Sequence, residues 1–288
     1  MIRAWSIGLM CVVGSCSTGT AASEEPRAPA GVVAVDALLR APADPQRVIV
    51  DVRPAEAYAG GHIPGAVHLD VKKLRAEVDG VPEQLAPRAA IEAAMAELGV
   101  ELGDEVVVVD ERTSPPAARV VWTLRWFGHA ADKVQVLDGG HAAWVAAGGA
   151  QTGEVPTVAT GEGARLGEEQ PQLGVDAAWI AAHLHDPAVL LLDVRSDDEW
   201  EAGRIPGAWH VPWQSAVTDD GRLKEPQALR ELYARALDSE TVVVYCKSGM
   251  RASLSWLVLQ VLGHADARVY DGSWNEWGAR PDLPKETG

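Results

Sequence analysis

The 288-residue sequence predicts an α/β fold built from two tandem copies of one domain, each a central, mainly parallel sheet flanked by helices. Three observations predict it. Asp51-Val52-Arg53, Gly61 and Ile63-Pro64-Gly65-Ala66 return 142 residues later as Asp193-Val194-Arg195, Gly203 and Ile205-Pro206-Gly207-Ala208, and nine of eighteen positions from Asp51 are identical without a gap. The runs Val106–Val109 and Val242–Tyr245 are apolar at every position, as strands covered on both faces must be. Strand-like and helix-like stretches also alternate throughout both copies.

Taken in order, residues 1–15 hold one positive charge at Arg3 and then an apolar run from Trp5 to Val13, too short to span a bilayer as a folded helix. Val13-Gly14-Ser15-Cys16 follows, in the pattern of a bacterial lipoprotein signal whose acylated cysteine becomes the mature amino terminus. The protein is therefore expected to be exported and lipid-anchored through Cys16, its body facing the periplasm. Ser17 in place of Asp favours the outer membrane. Residues 16–31 are rich in Ser, Thr, Gly, Glu, Pro and Ala and are expected to form a flexible tether.

The first copy spans 32–150. Val48–Val52 forms a buried strand ending in charge, Pro54–Gly61 a short helical turn, and His62–His68 a rigid turn into another strand. After Val106–Val109 come Asp110, a helix ending at Gly128, the strand end Val136-Leu137-Asp138-Gly139, and Trp144 as a core anchor. Residues 151–174 lack a sustained period and form a linker. The second copy, 175–280, repeats the pattern through Val269-Tyr270-Asp271-Gly272 and Trp277, and 281–288 is expected to be a frayed tail. His129 and His264 follow helix-ending glycines, where a histidine satisfies terminal carbonyls.

The copies differ at the end of their most apolar strand. The second has Cys246-Lys247-Ser248-Gly249-Met250-Arg251, followed by a helix with apolar residues at 254, 257, 258, 261 and 262. A cysteine closing a hydrophobic strand is ordinarily a small buried hydrophobe. Here Lys, Ser and Gly follow it instead of more core. A short turn feeding a helix N-terminus aims several backbone N–H groups and the helix dipole at one spot, which favours a thiolate and an anionic substrate. The first copy has Asp110-Glu111 and Pro115-Pro116 at that place. Carboxylates repel an anion and prolines remove donors, so one half is catalytic and the other supports it.

Charge and cysteine count narrow the class. A formal charge of −16 argues against nucleic acid as a partner. The three cysteines lie at 11, 16 and 246, so signal removal and acylation leave Cys246 as the sole thiol and no disulfide within the body. No histidine spacing suggests a metal site.

Together, the duplicated Asp-Val-Arg and Gly-x-Ile-Pro-Gly-Ala, the six-residue cysteine loop and Asp-Gly-x-x-x-x-Trp resemble the tandem-domain rhodanese family over roughly residues 32 to 280. This family includes thiosulfate and 3-mercaptopyruvate sulfurtransferases. The resemblance implies two rhodanese-like domains, a first domain whose cysteine has become Asp110, and Cys246 as the sulfur acceptor. It also implies a loop at Lys247, Ser248, Gly249, Met250 and Arg251 that holds substrate and persulfide, with Asp193 and Arg195 as a supporting pair. No metal or organic cofactor is implied. The expected partners are a small anionic sulfur donor, a thiophilic acceptor such as cyanide or a thiol, and a thiol or thioredoxin-like reductant, with the chain acting as a monomer and touching the membrane only through its lipid. Lys247 favours thiosulfate as donor, with 3-mercaptopyruvate the alternative. Arg251 is expected to supply the charge the family places at 199, where this chain has Glu199. A persulfide carrier and a cysteine-dependent phosphatase are competing readings, but phosphatases have five residues between Cys and Arg and this chain has four.

Overall fold

The computed structural model describes residues 31–42, 44–158 and 165–288; the proposed signal, Cys16 and most of the tether lie outside them. The first domain runs β1 (Val32–Val33), α1 (Val35–Arg40), β2 (Arg47–Asp51), α2 (Ala55–Gly60), β3 (Val67–His68), β4 (Arg75–Val78), β5 (Val81–Leu85), α3 (Arg88–Leu98), β6 (Glu105–Val109), α4 (Pro115–Trp126), β7 (Val134–Leu137) and α5 (Gly140–Ala146). The second runs β8 (Gly174–Val175), α6 (Ala177–His183), β9 (Val189–Asp193), α7 (Asp197–Ala202), β10 (Trp209–His210), α8 (Pro226–Leu232), α9 (Ala234–Leu237), β11 (Thr241–Tyr245), α10 (Met250–Val261), β12 (Ala267–Tyr270) and α11 (Ser273–Trp277).

Each domain holds a five-stranded, all-parallel sheet, in the orders β1-β7-β6-β2-β3 and β10-β9-β11-β12-β8. The apolar runs are the middle strands. Their side chains alternate between faces as a strand's period of two requires. Val106 and Val108 join a core that also holds Val242, Val244 and Cys246, while Val107 and Val109 face an outer cluster with Trp144, and Val243 and Tyr245 face another with Trp277. The inner core is thus shared by both domains, with Trp122 and Val121 of α4 and Trp256 and Leu257 of α10 inside it. Asp110 and Cys246 continue the inward-facing sets, so both strand ends point to the side where the domains meet.

Two polar bonds repeat across that boundary. Leu85 donates its amide to Asp271 Oδ2 (2.6 Å), and Leu223 donates to Asp138 Oδ1 (2.8 Å). The pair β4-β5, antiparallel and set outside the main sheet, belongs to the first domain alone among the described residues. Its turn puts Asp79 and Gly80 at φ of 51° and 78°, the left-handed backbone a tight hairpin needs.

The end of the chain is not frayed. Arg204 and Glu286 exchange backbone hydrogen bonds (2.9 and 3.0 Å), and Trp277 Nε1 donates to the Pro284 carbonyl (2.8 Å). His62 and Thr152 form the same bridge in the first copy, and Trp144 Nε1 donates to Ala150 (2.8 Å). The tail is therefore the second copy's closing strap, a pairing that Pro and charge in its sequence conceal. The histidines after the helix ends cap through their backbone, His129 donating its amide to Leu124 (3.0 Å) and His264 to Leu259 (2.9 Å). The rings of His129 and His264 bond the carbonyls of Glu101 and Ser239, in the loops before β6 and β11, rather than their own helix ends.

Candidate functional site

Cys246 leaves β11 where the parallel register sets Tyr245 opposite Asp193. Val194 donates its amide to the Tyr245 carbonyl (3.1 Å), which holds Asp193-Val194-Arg195 against the loop. Asp193 and Arg195 form a buried pair: Nε donates to both carboxylate oxygens at 3.0 Å, and Nη2 donates to Oδ2 and to the Gly203 carbonyl, each at 2.6 Å. The guanidinium also lies 4.7 Å from the ring of Trp274. Two full charges are tolerable there because they are paired with each other and further satisfied by a backbone carbonyl.

The loop itself is four residues, shorter than the six expected, because Met250 and Arg251 already belong to the first turn of α10. Gly249 caps that helix at φ 74° and ψ −22°. A Cβ at this position would collide with Asp271 Oδ1, so the backbone conformation and the close approach both demand glycine. Asp271 is held there from the other domain, since Arg119 of α4, fully buried, donates Nη1 to its Oδ1 (2.5 Å).

Ser273 closes the loop, and sequence reasoning missed it. Its Oγ accepts the amides of Cys246 (3.1 Å) and Gly249 (3.0 Å) and donates to the Tyr270 carbonyl (2.7 Å). The residue holds φ at 51°, a costly backbone for any side chain but glycine, and its counterpart in the first copy is Gly140, at φ 60°. The signal was available: Asp138-Gly139-Gly140 becomes Asp271-Gly272-Ser273, a second departure between the copies at the place where Asp110 becomes Cys246.

The donors that remain are the useful ones. Among the described residues, the amides of Lys247, Ser248, Met250, Arg251 and Ala252 make no hydrogen bond within the protein. They surround a cysteine that exposes none of its surface. In the first domain fewer donors are left, the amides of Arg112 and Ser114 among them. Glu111 donates to Asp110 Oδ1 (2.7 Å), Thr113 to the Gly221 carbonyl (2.9 Å) and Ala117 to Ser114 Oγ (3.4 Å), while Pro115 and Pro116 have no N–H. Partial burial raises the Asp110 carboxyl above its ordinary value.

Arg251, expected to supply the charge that Glu199 does not, is itself paired with that residue: Nη1 and Nη2 grip Glu199 in a bidentate pair at 2.6 and 2.8 Å. Glu199 is where it is because it closes a capping box with Ser196 at the start of α7. Arg251 holds its carboxyl down to about 2. The bond to Glu199 in turn raises the Arg251 pKa, with a lesser contribution from the nearby Cys246 sulfur. Lys247 is exposed and has no ion-pair partner among the described residues, which leaves it as the loop's unpaired cation.

This geometry finds its match among known proteins. The rhodanese-like domain family matches residues 34–147 and again 176–280. The 3-mercaptopyruvate sulfurtransferase of Escherichia coli K12 is 32% identical over 270 residues, covering 84% of this chain and 93% of that protein. The thiosulfate sulfurtransferase of Azotobacter vinelandii is 30% identical over 252 residues, covering 84% of this chain and 92% of that protein. The crystal structure of SseA, a 3-mercaptopyruvate sulfotransferase from Escherichia coli, superposes with a TM-score of 0.76 at 30% identity, over 85% of this chain and 99% of that one. Two duplicated α/β domains, one loop with a cysteine among free amides and one without, and two family matches in tandem lead to one conclusion: the chain belongs to the rhodanese family of sulfurtransferases, as a tandem-domain member.

Proposed function

We propose that the protein moves the outer sulfur of thiosulfate to a thiophilic acceptor through a persulfide on Cys246. The observation that carries this reading is the buried sulfur set among five free amides in one domain, where the other has a carboxylate and a loop in which three of the corresponding donors are bonded and two are prolines. In the first half-reaction the Cys246 thiolate attacks the outer sulfur of thiosulfate, the S–S bond of the donor breaks, and sulfite leaves with the electron pair. The persulfide left behind carries one negative charge, which the amides of the loop and the α10 N-terminus stabilise. A second nucleophile, cyanide or a thiol, then takes the outer sulfur and returns the thiolate.

Lys247 favours thiosulfate as the donor. Thiosulfate brings two negative charges and 3-mercaptopyruvate one, and the loop's unpaired cation sits directly after the nucleophile. The pair Asp193–Arg195 orients the loop from beneath, and Arg251, tied to Glu199, braces its far end. Mass spectrometry of the protein after incubation with each donor tests the reading: a gain of roughly 32 Da with thiosulfate, absent in Cys246→Ser, supports it. A gain with 3-mercaptopyruvate alone would replace the donor and keep the mechanism; no gain with either would sink both.

The sequence before residue 31 supports attachment to a membrane through an acylated Cys16. Labelling cells with a fatty-acid probe checks this. The label is expected on the protein and absent from Cys16→Ser.

A further inference from the structure

Two cavities of about 490 and 470 Å³ lie side by side where the β4-β5 hairpin of the first domain faces the second. They share Val78, Gln84, Val175, Asp176 and Asp271, and so form one cleft. Cys246 and the residues of its loop line neither cavity. Asp271 stands between the cleft and Gly249.

One end of the cleft is aromatic and the other acidic. Trp122, Trp126 and Trp179 wall the first cavity, together with Leu85, Pro171 and Val269. The charged side chains lining the whole cleft are Asp79, Asp176, Asp271 and Glu276 against Arg268 and Arg280. Arg268 is held by Asp266 in two bonds of 2.7 Å, and Arg280 by Asp282 at 2.5 and 3.2 Å. Asp271 is spent on Arg119 and the Leu85 amide. Lys285, near Asp282, gives its ammonium to the Arg280 and Leu283 carbonyls. With these partners included, six carboxylates face three guanidiniums and one ammonium, so the cleft is negative. Asp79, Asp176 and Glu276 have no ion-pair partner among the described residues. Asp176 spends one oxygen on the Trp179 amide (2.7 Å) and Glu276 one on the Tyr270 hydroxyl (2.8 Å), which leaves four carboxylate oxygens unused among the described residues.

The other half of the molecule shows that the fold does not require this lining. Aligning α4 with α10 and α1 with α6 sets Trp122, Trp126 and Trp179 against Leu257, Val261 and Leu39, and Asp176 against Asp36, which has Arg40 at 3.6 Å. At that end of the domain boundary the chain is closely packed: a Cβ on Gly221 or Gly139 would strike the side chain of Arg112 or Arg222.

We propose that the cleft binds an organic amine with an aromatic body, its ring among the tryptophans and its ammonium on Asp176, facing Asp79 and Glu276. An ammonium has three donors and no acceptor, which suits carboxylate oxygens that lack donors. The His183 ring and the Arg268 guanidinium lie over Trp179 (4.0 and 5.1 Å), which leaves its edge to meet the face of a ligand's ring. The site is separate from the sulfur chemistry, whose anionic donor these carboxylates repel, and it does not rest on the sulfur-transfer reading.

Calorimetry of the protein with three indoles that differ in charge tests the site: tryptamine, the neutral tryptophol and the anionic indole-3-propionate. Tryptamine should bind at one site about tenfold or more tighter than tryptophol, and indole-3-propionate more weakly than either. Asp176→Asn with Glu276→Gln should bring tryptamine to within about twofold of tryptophol and leave tryptophol unchanged. Both substitutions keep the oxygens that the Trp179 amide and the Tyr270 hydroxyl use, so the fold is preserved. Trp179→Leu, the first copy's residue, should weaken tryptamine and tryptophol alike. Asp238→Asn with Glu240→Gln neutralises two exposed acids before β11 and should change nothing, which separates the cleft from the acidic surface at large. Thiosulfate should not displace tryptamine. No tryptamine binding, equal affinities for tryptamine and tryptophol, binding that survives the Asp176 and Glu276 changes, an equal loss in the Asp238 control, or displacement by thiosulfate would overturn the site. Failure to load sulfur from thiosulfate, with tryptamine binding intact, would overturn the sulfur-transfer reading alone.

Discussion

At residue 110 and again at residue 246 the chain leaves the same face of the same kind of sheet, enters a tight turn, and starts a twelve-residue helix. The turns even share their fastening. His141 and Ala142 donate to the Asp110 and Glu111 carbonyls (2.8 and 3.0 Å), as Trp274 and Asn275 donate to Cys246 and Lys247 (3.0 and 2.9 Å). What separates them is the fate of the N–H groups. In the first turn carboxylate, hydroxyl, carbonyl and proline consume or remove five donors, those of Glu111, Thr113, Pro115, Pro116 and Ala117; in the second a serine hydroxyl gathers two and leaves five free among the described residues. Backbone shape alone therefore does not make a sulfur site; it takes unspent donors as well.

The largest effect should come from trying to equalise the halves. Cys246→Ser should abolish sulfur uptake, and adding Asp110→Cys to that variant should not restore it, because Pro115 and Pro116 still deny the new thiol its amides. Turnover at or above about one-thousandth of the native rate from the double variant would break the comparison.

The next effect is structural and should be similar in both halves. Arg195→Ala and Arg53→Ala each strand a buried aspartate, Asp193 or Asp51, and should cost about 3–5 kcal/mol in urea unfolding. Only Arg195→Ala should also slow persulfide formation beyond what lost folded protein explains, since only its loop does chemistry.

Ser273→Ala removes the acceptor of two buried amides and should cost about 1–3 kcal/mol, or roughly 5- to 150-fold in persulfide formation if all of it falls on the transition state. Ser273→Gly separates the causes. It relieves the positive φ but loses the same hydroxyl, so recovery of folding stability without recovery of rate would confirm that strain is tolerated for the hydroxyl's sake.

The smallest effect is in acid and has opposite signs in the two halves. Glu199 has a folded pKa of about 2, below its ordinary 4.5, so its pair with Arg251 adds stability above the ordinary value that is lost as pH falls through about 2. Asp110 has a folded pKa above its ordinary 3.8, so it favours the fold when protonated, and that contribution fades as pH rises through its raised value. Urea titrations should therefore show Glu199→Gln flattening the acid limb below about 4.5. Asp110→Asn should instead flatten a decline above about 3.8.

Much of this was legible from residue order. Apolar runs marked the middle strands, repetition marked the two copies, and the contrast between Asp110 and Cys246 marked where the halves differ. The losses have physical causes. Arg251 and Glu199 lie 52 positions apart, and no local rule links a helix-capping carboxylate to a guanidinium on another helix. Residues 281–288 lack strand chemistry because each strap needs a single bridge, not a ladder. The β4-β5 pair was announced by Val78-Asp79-Gly80-Val81, a hairpin signal that reading by repeats passes over because the second copy shortens the hairpin to a single antiparallel bridge, Val217 to Leu223, around another turn sequence.

The shared inner core carries a consequence for folding. Trp122 and Trp256, both essentially buried, belong to different domains yet to one apolar cluster, so neither half can open without exposing the other. Calorimetry should record one cooperative transition, with van't Hoff and calorimetric enthalpies equal, rather than the two expected of beads on a string. A fragment ending in the linker would leave the α4 face in water, sticky and prone to association. Foldability alone is thus a reason for both halves to be present, whatever share of the chemistry each performs.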